Sequence, residues 1–410
     1  MAKVFADRII TAIDVGTTKI CVLIAERLRD NTVLVIGIGK SPSDGLKKGV
    51  VVNINQTIQS IKSAVREAEL MAGISVQAGY VGISGSHIHA LNVHGAVPIK
   101  KGVVRTQDIQ NVLAAAQAIA IPEGQQVLHV LPQFFRVDGR QFTDPQGIHG
   151  IRLEVQAHII LGATASVKDL AECCEMAGVQ VLDVILEPIA SAEAVLSHDE
   201  QELGAGILDI GGGTADFAIY QNGSICHTKV VPVAGTQFTR DIAIGLRTTL
   251  EDAKRIKHEY ATVDLRGVPF NEEIEIEMIQ GAELQKASLQ MLATIVHARA
   301  HELFLLIQED ISRYDMASAM ASGIVLTGGG SLLKGMKELA ESVFQMPARI
   351  GRPNLLHTLP ETLHNPIYAT AYGLLLSAVK KQGIHAQQSL QEPITKRLFT
   401  SMRSWFSDFF

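Results

Sequence analysis

The sequence predicts an α/β protein of two related lobes that face each other, and two observations carry the prediction. The first is a design that occurs twice. Residues 9–25, IITAIDVGTTKICVLIA, read as an apolar strand, an Asp, a tight turn of Gly and Thr, and a second apolar strand. Residues 206–220, GILDIGGGTADFAIY, repeat that order. The second observation is a pair of similar helices, 187–196 (EPIASAEAVL) and 365–376 (NPIYATAYGLLL). Each opens on an acidic or amide residue followed by Pro, then carries small residues at helical spacing. Pro suits a first helical turn, where its missing N–H would have no intrahelical partner anyway.

At 410 residues the chain is too long for one compact core. A content of 47% hydrophobic against 19% charged residues suits packed domains and excludes a disordered chain. The net charge of −6 argues against nucleic acid as a partner. In the first loop Asp14 ends a buried strand, and Gly16, Thr17, Thr18 and Lys19 follow. Gly lets backbone N–H groups approach a phosphate, Thr adds hydroxyl donors, and Lys19 supplies a cation. In the second loop Asp209 precedes Gly211, Gly212, Gly213 and Thr214. Asp14 and Asp209 are placed to hold a hydrated Mg²⁺, an ion that prefers carboxylates plus retained waters. Either loop alone also reads as a β-hairpin with a glycine turn. The repeat favours two halves facing across a nucleotide.

Residues 323–336, GIVLTGGGSLLKGM, give a β-rich run, then Gly328, Gly329 and Gly330, with Ser331 opening a helix. Such a turn lets a base or ribose lie against backbone. Its spacing is neither GxxxxGKS/T nor GxGxxG, so neither the Walker nor the Rossmann reading applies. Ala190, Ser191 and Ala194 in one Pro-led helix, and Ala369, Ala371 and Gly373 in the other, allow a close crossing that can act as a hinge. Ordinary buried helices are the alternative.

Between these stretches lies TQDIQNVLAAAQAIAI, a helix that Thr106 can cap, followed by strands and turns punctuated by Gly and Pro. In LEDAKRIKHEYA, Glu251 and Lys254 share one helix face, the spacing of an ordinary surface salt bridge. NEEIEIEMI alternates acidic and apolar residues as a half-exposed strand. A long helix follows with Leu289, Leu292, Val296, Ala300, Leu303, Ile307 and Ile311 on one stripe, and Arg299 and Glu302 beside it. Four Cys without CxxC predict a reducing compartment. His87/His89 and His297/His301 lack the Cys or carboxylate neighbours of a metal site. Met1–Asp7 predicts no secretory leader, and no segment reaches the roughly 20 apolar residues of a membrane span.

The chain closes on KRLFTSMRSWFSDFF, residues 396–410, after a polar linker, 381–395. Leu398, Met402, Trp405, Phe406 and Phe409 form one apolar stripe, widened by Phe399 and Phe410. Lys396, Arg397 and Arg403 against Asp408 leave this peptide positive while the whole chain is acidic. Fifteen helical residues span about 22 Å, too short to cross the hydrocarbon but suited to lie in an anionic interface. A docked helix, on the body or in a partner's groove, is the alternative. Seven apolar side chains give roughly 10 to 20 kcal/mol gross. Ordering costs about 1 to 2 kcal/mol per residue. One tail therefore binds reversibly, and many tails linked together would bind by avidity.

In this order the five stretches resemble the actin, Hsp70 and sugar-kinase superfamily. The stretches AIDVGTTKI, GLKKGVVVNI, VGISGSHI, LDIGGGTADF and GIVLTGGGSLLKG, together with the tail, are more closely similar to the FtsA family of bacterial cell-division proteins. The resemblance implies an actin-like two-lobed ATPase fold of duplicated ribonuclease-H-like domains, with an FtsA-type inserted subdomain and a C-terminal amphipathic helix. It divides the chain into a first lobe (1–86 and 157–202), an inserted α+β subdomain for self-assembly and division-protein contacts (87–156), and a second lobe (203–246 and 317–380). A small subdomain (247–316) receives the C-terminal peptide of FtsZ, through Arg299 and Glu302; a merely solvated Arg299 is the alternative. Residues 16–19 and 211–214 would hold phosphate, residues 328–331 the nucleoside, and Glu251 and Lys254 ribose and base. Glu187 matches the residue that orients the attacking water in MreB, although a Glu before Pro also caps a helix. The implied activity is ATP (or ADP) binding with Mg²⁺ and weak or no hydrolysis. The implied place is the cytoplasmic face of the inner membrane at the division site, peripherally bound through Leu398, Phe399, Met402, Arg403, Trp405, Phe406, Phe409 and Phe410. Its partners would be FtsZ, further copies of itself, later division proteins and the anionic membrane surface. The rivals are a small-molecule kinase, which needs a cleft carboxylate beyond the loop Asp residues, and a pilus-assembly ATPase, which has no use for this tail.

Overall fold

Apolar runs buried on both faces build the centre of the first lobe. The computed structural model describes residues 8–388 apart from 29, 31, 119–120, 270, 279–283 and 354–358. Strands β1 (Ile9–Val15), β2 (Lys19–Arg27) and β3 (Val33–Pro42) form an antiparallel meander. A small hairpin follows, β4 (Leu46–Lys47) with β5 (Val50–Val51). Helix α1 (Ile54–Ala72) is capped by Asn53, whose side chain accepts the Gln56 N–H, and it ends on Gly73 at φ 68°. Its apolar face, with Ile58, Ile61, Ala64 and Ala68, lies on β2 and β3. Strand β6 (Ala78–Ile83) then pairs with β1 in parallel.

An inserted unit leaves after β6. It comprises β7 (His89–Pro98), α2 (Thr106–Gln117), β8 (Gln125–Val137), β9 (Arg140–Phe142) and β10 (Arg152–Ala163), with sheet order β7-β10-β8-β9. It has its own core of Val93, Ile109, Val112, Phe135, Val137, Leu153 and Ile159. Pairing of β10 with β8 continues past residue 156 to Ala163 opposite Gln125. Thr106 is the first residue of α2 and not its cap. The boundary falls on Arg105, because the Arg105 N–H donates to the Asp108 carboxylate at 3.0 Å.

Helix α3 (Thr164–Met176) and strand β11 (Gln180–Leu186) complete a sheet of order β11-β6-β1-β2-β3. Helices α4 (Glu187–Val195) and α5 (His198–Leu203) lead to the second lobe. Its strands are β12 (Ala205–Ile210), β13 (Ala215–Gln221) and β14 (Ser224–Val231), followed by helices α6 (Gly235–Leu246) and α7 (Leu250–Glu259). The hairpin strands β15 (Glu273–Glu277) and β16 (Leu284–Ser288) come next, and Ile274 and Ile276 point inward as the alternation predicts. Helix α8 (Leu289–Arg313) buries the predicted stripe from Leu292 to Ile311.

Strand β17 (Ile324–Thr327), helix α9 (Met336–Phe344), strand β18 (Ala348–Ile350) and helix α10 (Ala369–Gln388) finish the fold. The second sheet runs β14-β13-β12-β17-β18. Its meander is antiparallel and its last two strands are parallel to β12, as in the first sheet. The duplication therefore extends to topology, with β1 matching β12 and β2 matching β13. Helix α10 packs on α4 and on β1, β2 and β6 of the first lobe, and it extends to Gln388, into the stretch read as linker. A Cβ on Gly373 would fall on the Ala190 carbonyl, so α4 and α10 cross with backbone against backbone. Among the described residues no helix is long and apolar enough to cross a membrane. Residues 396–410, including the apolar stripe, lie outside the described residues.

Candidate functional site

Two turns of one kind close the two meanders. The Gly16 N–H donates to the Lys19 carbonyl at 3.1 Å, and the Gly211 N–H donates to the Thr214 carbonyl at 2.9 Å. The two turns touch. A Cβ at Gly212 would come within 2.5 Å of Thr18, and one at Gly213 would collide with Thr17. Glycine is needed here because the threonines of one loop occupy the space of side chains on the other.

Asp209, at the end of β12, gathers the remaining parts. Its Oδ2 accepts hydrogen bonds from Ser191 Oγ on α4 at 2.5 Å and from Thr370 Oγ1 on α10 at 2.9 Å. Its Oδ1 abuts Gly328, which sits at φ 77°. The second loop, both Pro-led helices and the third glycine loop thus meet on one carboxylate. Burial raises its pKa above the ordinary value, against the two hydroxyl bonds and the Lys19 charge.

Asp14 stands opposite in the first lobe, 4.0 Å from Lys19 Nζ. Burial pushes it up to about 6, opposed by Lys19 and reinforced by Asp209. Lys19 Nζ also donates to the Ile367 carbonyl at 2.6 Å and lies 4.9 Å over the Tyr368 ring. Glu187 opens α4 beside Gly82. Burial, then the charges of Asp14, Asp216 and Asp209, hold it well above the usual carboxylate range.

Sequence reasoning missed two members of this cluster, Ser84 and Asp216. Ser84 Oγ, where the insertion leaves the first lobe, donates to Asp216 Oδ1 at 2.5 Å and lies 3.2 Å from Thr214 Oγ1. In the β12–β13 pairing Asp216 lies directly opposite Asp209, whereas Asp14 faces Cys21 in the first lobe. Like charges opposite each other destabilise a sheet. A polar residue among the apolar ones of TADFAIY was the available signal.

The third loop differs from its expectation. Gly329–Leu332 form a 3₁₀ turn in which Ser331 Oγ donates to the Gly328 carbonyl at 2.7 Å. The α-helix starts only at Met336, because Gly335 interrupts at φ 89°. Glu251 and Lys254 are exposed on α7, whose ion pairs are Asp252–Arg255 and Arg255–Glu259. The same helix reaches the second loop's flank through Lys257, which donates to the Gly235 carbonyl at 3.0 Å. Gly235 in turn donates to the Gly211 carbonyl at 3.0 Å.

Arg299 lies away from this cluster, on α8. Its guanidinium grips both oxygens of Asp241 on α6 and also contacts Glu302, so it is a paired charge. Among the described residues no three His, Cys, Asp or Glu side chains form a metal-binding group, which leaves His87/His89 and His297/His301 as pairs. A cavity of about 650 Å³ opens at the end of α4, lined by Leu196, Glu200, Arg349 and Arg352. Glu200 and the Val195 carbonyl already occupy Arg349 there. The buried carboxylates converge at the facing turns instead, and that is where we place the site.

Comparison with known proteins agrees with this architecture. The family model "Cell division protein FtsA" matches residues 206–373, and the model of the SHS2 domain inserted in FtsA matches residues 85–161. Among solved structures, a PilM-PilN type IV pilus biogenesis complex superposes with a TM-score of 0.65 at 17% identity, covering 90% of this chain and 98% of that one. MreB5 of Spiroplasma citri bound to ADP gives 0.55 at 15%, covering 94% and 99%. These likenesses establish an actin-like fold. The cell-division protein FtsA of Pseudomonas aeruginosa is 44% identical over 93% of this chain and 92% of its own. That of Escherichia coli K12 is 33% identical over 99% and 97%. On this identity, sustained over nearly the whole of both partners, the chain belongs to the FtsA family of bacterial cell-division proteins.

Proposed function

We propose that this chain is an ATP-binding division protein that polymerises on the cytoplasmic face of the inner membrane, tethers FtsZ filaments to it and helps recruit later septum-forming proteins. The observation that carries the nucleotide part is that two like turns touch, while two crossing helices and a third glycine loop meet on Asp209 at the second of them. MreB5, which shares the fold, has been solved with ADP and with AMPPNP. Here residues 16–19 and 211–214 would take the phosphates from either side, residues 328–331 would pack on the nucleoside, and Glu251 and Lys254 would reach ribose and base.

Asp14 and Asp209 fit a hydrated Mg²⁺. They are buried carboxylates at the ends of matching strands, and their raised pKa values record a charge cost that a dication relieves. Bound there, Mg²⁺ would neutralise phosphate charge. Glu187 would orient water. Burial and the neighbouring Asp14, Asp216 and Asp209 charges raise its pKa well above the usual carboxylate range.

The basic aromatic tail supplies the membrane contact. Exchanging Trp405 for Glu removes an aromatic whose insertion into lipid would be worth about 2 to 3 kcal/mol and adds a charge, so Trp405→Glu should weaken sedimentation with anionic liposomes by more than about 30-fold. Recruitment of FtsZ to those liposomes should be lost with it. Wild-type-like sedimentation of the variant would remove the tail from the reading, and failure of the purified protein to take up ATP would remove the nucleotide. For the FtsZ peptide, Arg299→Glu sets a carboxylate against Asp241 and Glu302. It should lower peptide affinity by about tenfold or more, with a small fall in melting midpoint from the lost ion pairs. Equal affinity would exclude Arg299 from that contact.

A further inference from the structure

The insertion is fastened to the second lobe as well as to the first, from which it grows. The fastening centres on an irregularity in β14. Pairing with β13 runs Ile219 to His227 and then Tyr220 to Ile225, so Cys226 is an extra, unpaired residue. A bulge of this kind bends the strand and re-aims its backbone. β14 is the edge strand of its sheet, and two of its carbonyls at this point are taken by side chains of the insertion. Asn92 Nδ2 on β7 donates to the Cys226 carbonyl at 3.1 Å, and Gln133 Nε2 on β8 donates to the Ile225 carbonyl at 3.2 Å and the Cys226 carbonyl at 3.4 Å.

His158 on β10 completes the contact. Asn92 Oδ1 accepts from Gln133 at 3.0 Å and faces His158 Nδ1 at 2.7 Å, so Nδ1 carries the proton. Nε2 is then the acceptor, and it receives the Thr228 hydroxyl at 2.9 Å. Both His158 and Thr228 are buried. Burial pushes His158 down to about 3, which matches a neutral ring with one donor and one acceptor.

The root of the insertion carries a second fastening, since Ser84 is bonded to Asp216 on β13. Both attachments are to the hairpin β13–β14. Helix α4 also contacts β12 and β13 while α10 packs on β1 and β2, so the crossing bridges the two sheets, and rotation about it would displace β13–β14 relative to the first sheet.

We infer that Asn92, Gln133 and His158 form a latch on the β14 bulge that makes the insertion follow the second lobe, so that opening and closing of the cleft is delivered to the insertion. The transmission half of this rests on the nucleotide reading above, and the latch half does not.

Hydrogen exchange of the full chain tests both halves. Asn92→Ala with Gln133→Ala changes two surface-accessible side chains, and Thr228→Val removes the hydroxyl from the other side at constant shape. Without nucleotide, amides of β7, β10 and β14 should exchange at least about tenfold faster in either variant, while β1–β3 stay as in wild type. No change, or an equal change everywhere, would overturn the latch. With ATP, wild type should gain protection at residues 16–19 and 211–214 and also shift in residues 89–163, whereas the variants should keep only the former. A wild-type insertion that ignores ATP while the loops respond, or variants whose insertion still responds, would overturn transmission. If ATP protects neither loop, the nucleotide reading and the transmission half fall together, and the first arm still decides the latch.

Discussion

Gly373→Ala is expected to destabilise the protein by about 3 kcal/mol or more and to loosen its grip on ATP. The added methyl has nowhere to go: its position coincides with the Ala190 carbonyl, which is backbone in the middle of α4. Overpacking of a fixed core costs about 1 to 3 kcal/mol when side chains can shift, and more when only backbone can yield. Helix propensity pulls the other way by only about 1 kcal/mol, since Ala is the better helix former. Relief by separating α4 from α10 would pull Ser191 and Thr370 off Asp209, coupling stability to the site. Urea unfolding of both proteins measures the first effect and ATP titration the second. A midpoint unchanged within error would show that the helices do not cross this closely.

Asp216→Asn is expected to stabilise the protein at pH 8 and to do nothing near pH 4. Burial pushes Asp216 up to about 7 from an ordinary 3.8, with the Ser84 hydrogen bond opposing and the Asp209 charge adding. Between those two values the folded chain holds a proton that the unfolded chain has released. Folded stability from this group is therefore complete below about pH 3.8 and is lost as pH rises through about 7. Three units at 1.36 kcal/mol each set an upper bound of about 4 kcal/mol, and 2 to 4 is the expected gain at pH 8. Asn keeps the acceptor for Ser84, so the hydrogen bond survives. Unfolding curves of both proteins at pH 4, 6 and 8 read the difference directly. A gap that does not grow with pH would mean that Asp216 is ordinarily ionised.

What the sequence made legible was whatever depends on neighbours along the chain. The strand–Asp–turn–strand units, the first Pro-led helix and the α8 stripe are local patterns, and each appears where its pattern put it, whereas after Asn365 a short 3₁₀ turn, Pro366–Tyr368, precedes α10. The Ser84–Asp216 bond joins residues 132 positions apart, and Arg299 reaches Asp241 across 58, so no spacing rule announces either. The bulge at Cys226 was hidden for a related reason. SICHTKVV alternates no differently whether or not one residue slips out of register, and only the partner strand decides it. At Ser331 a local signal was present but outranked, because Gly335 breaks the helix that the apolar spacing promised.

Helix α10 ends the described chain as one continuous rod of 20 residues, about 30 Å long. It crosses α4 and packs on β1, β2 and β6, and its far end leads toward the stretch proposed to grip lipid. A pull on that anchor would therefore be borne by the sheet of the first lobe, on which the rod is seated.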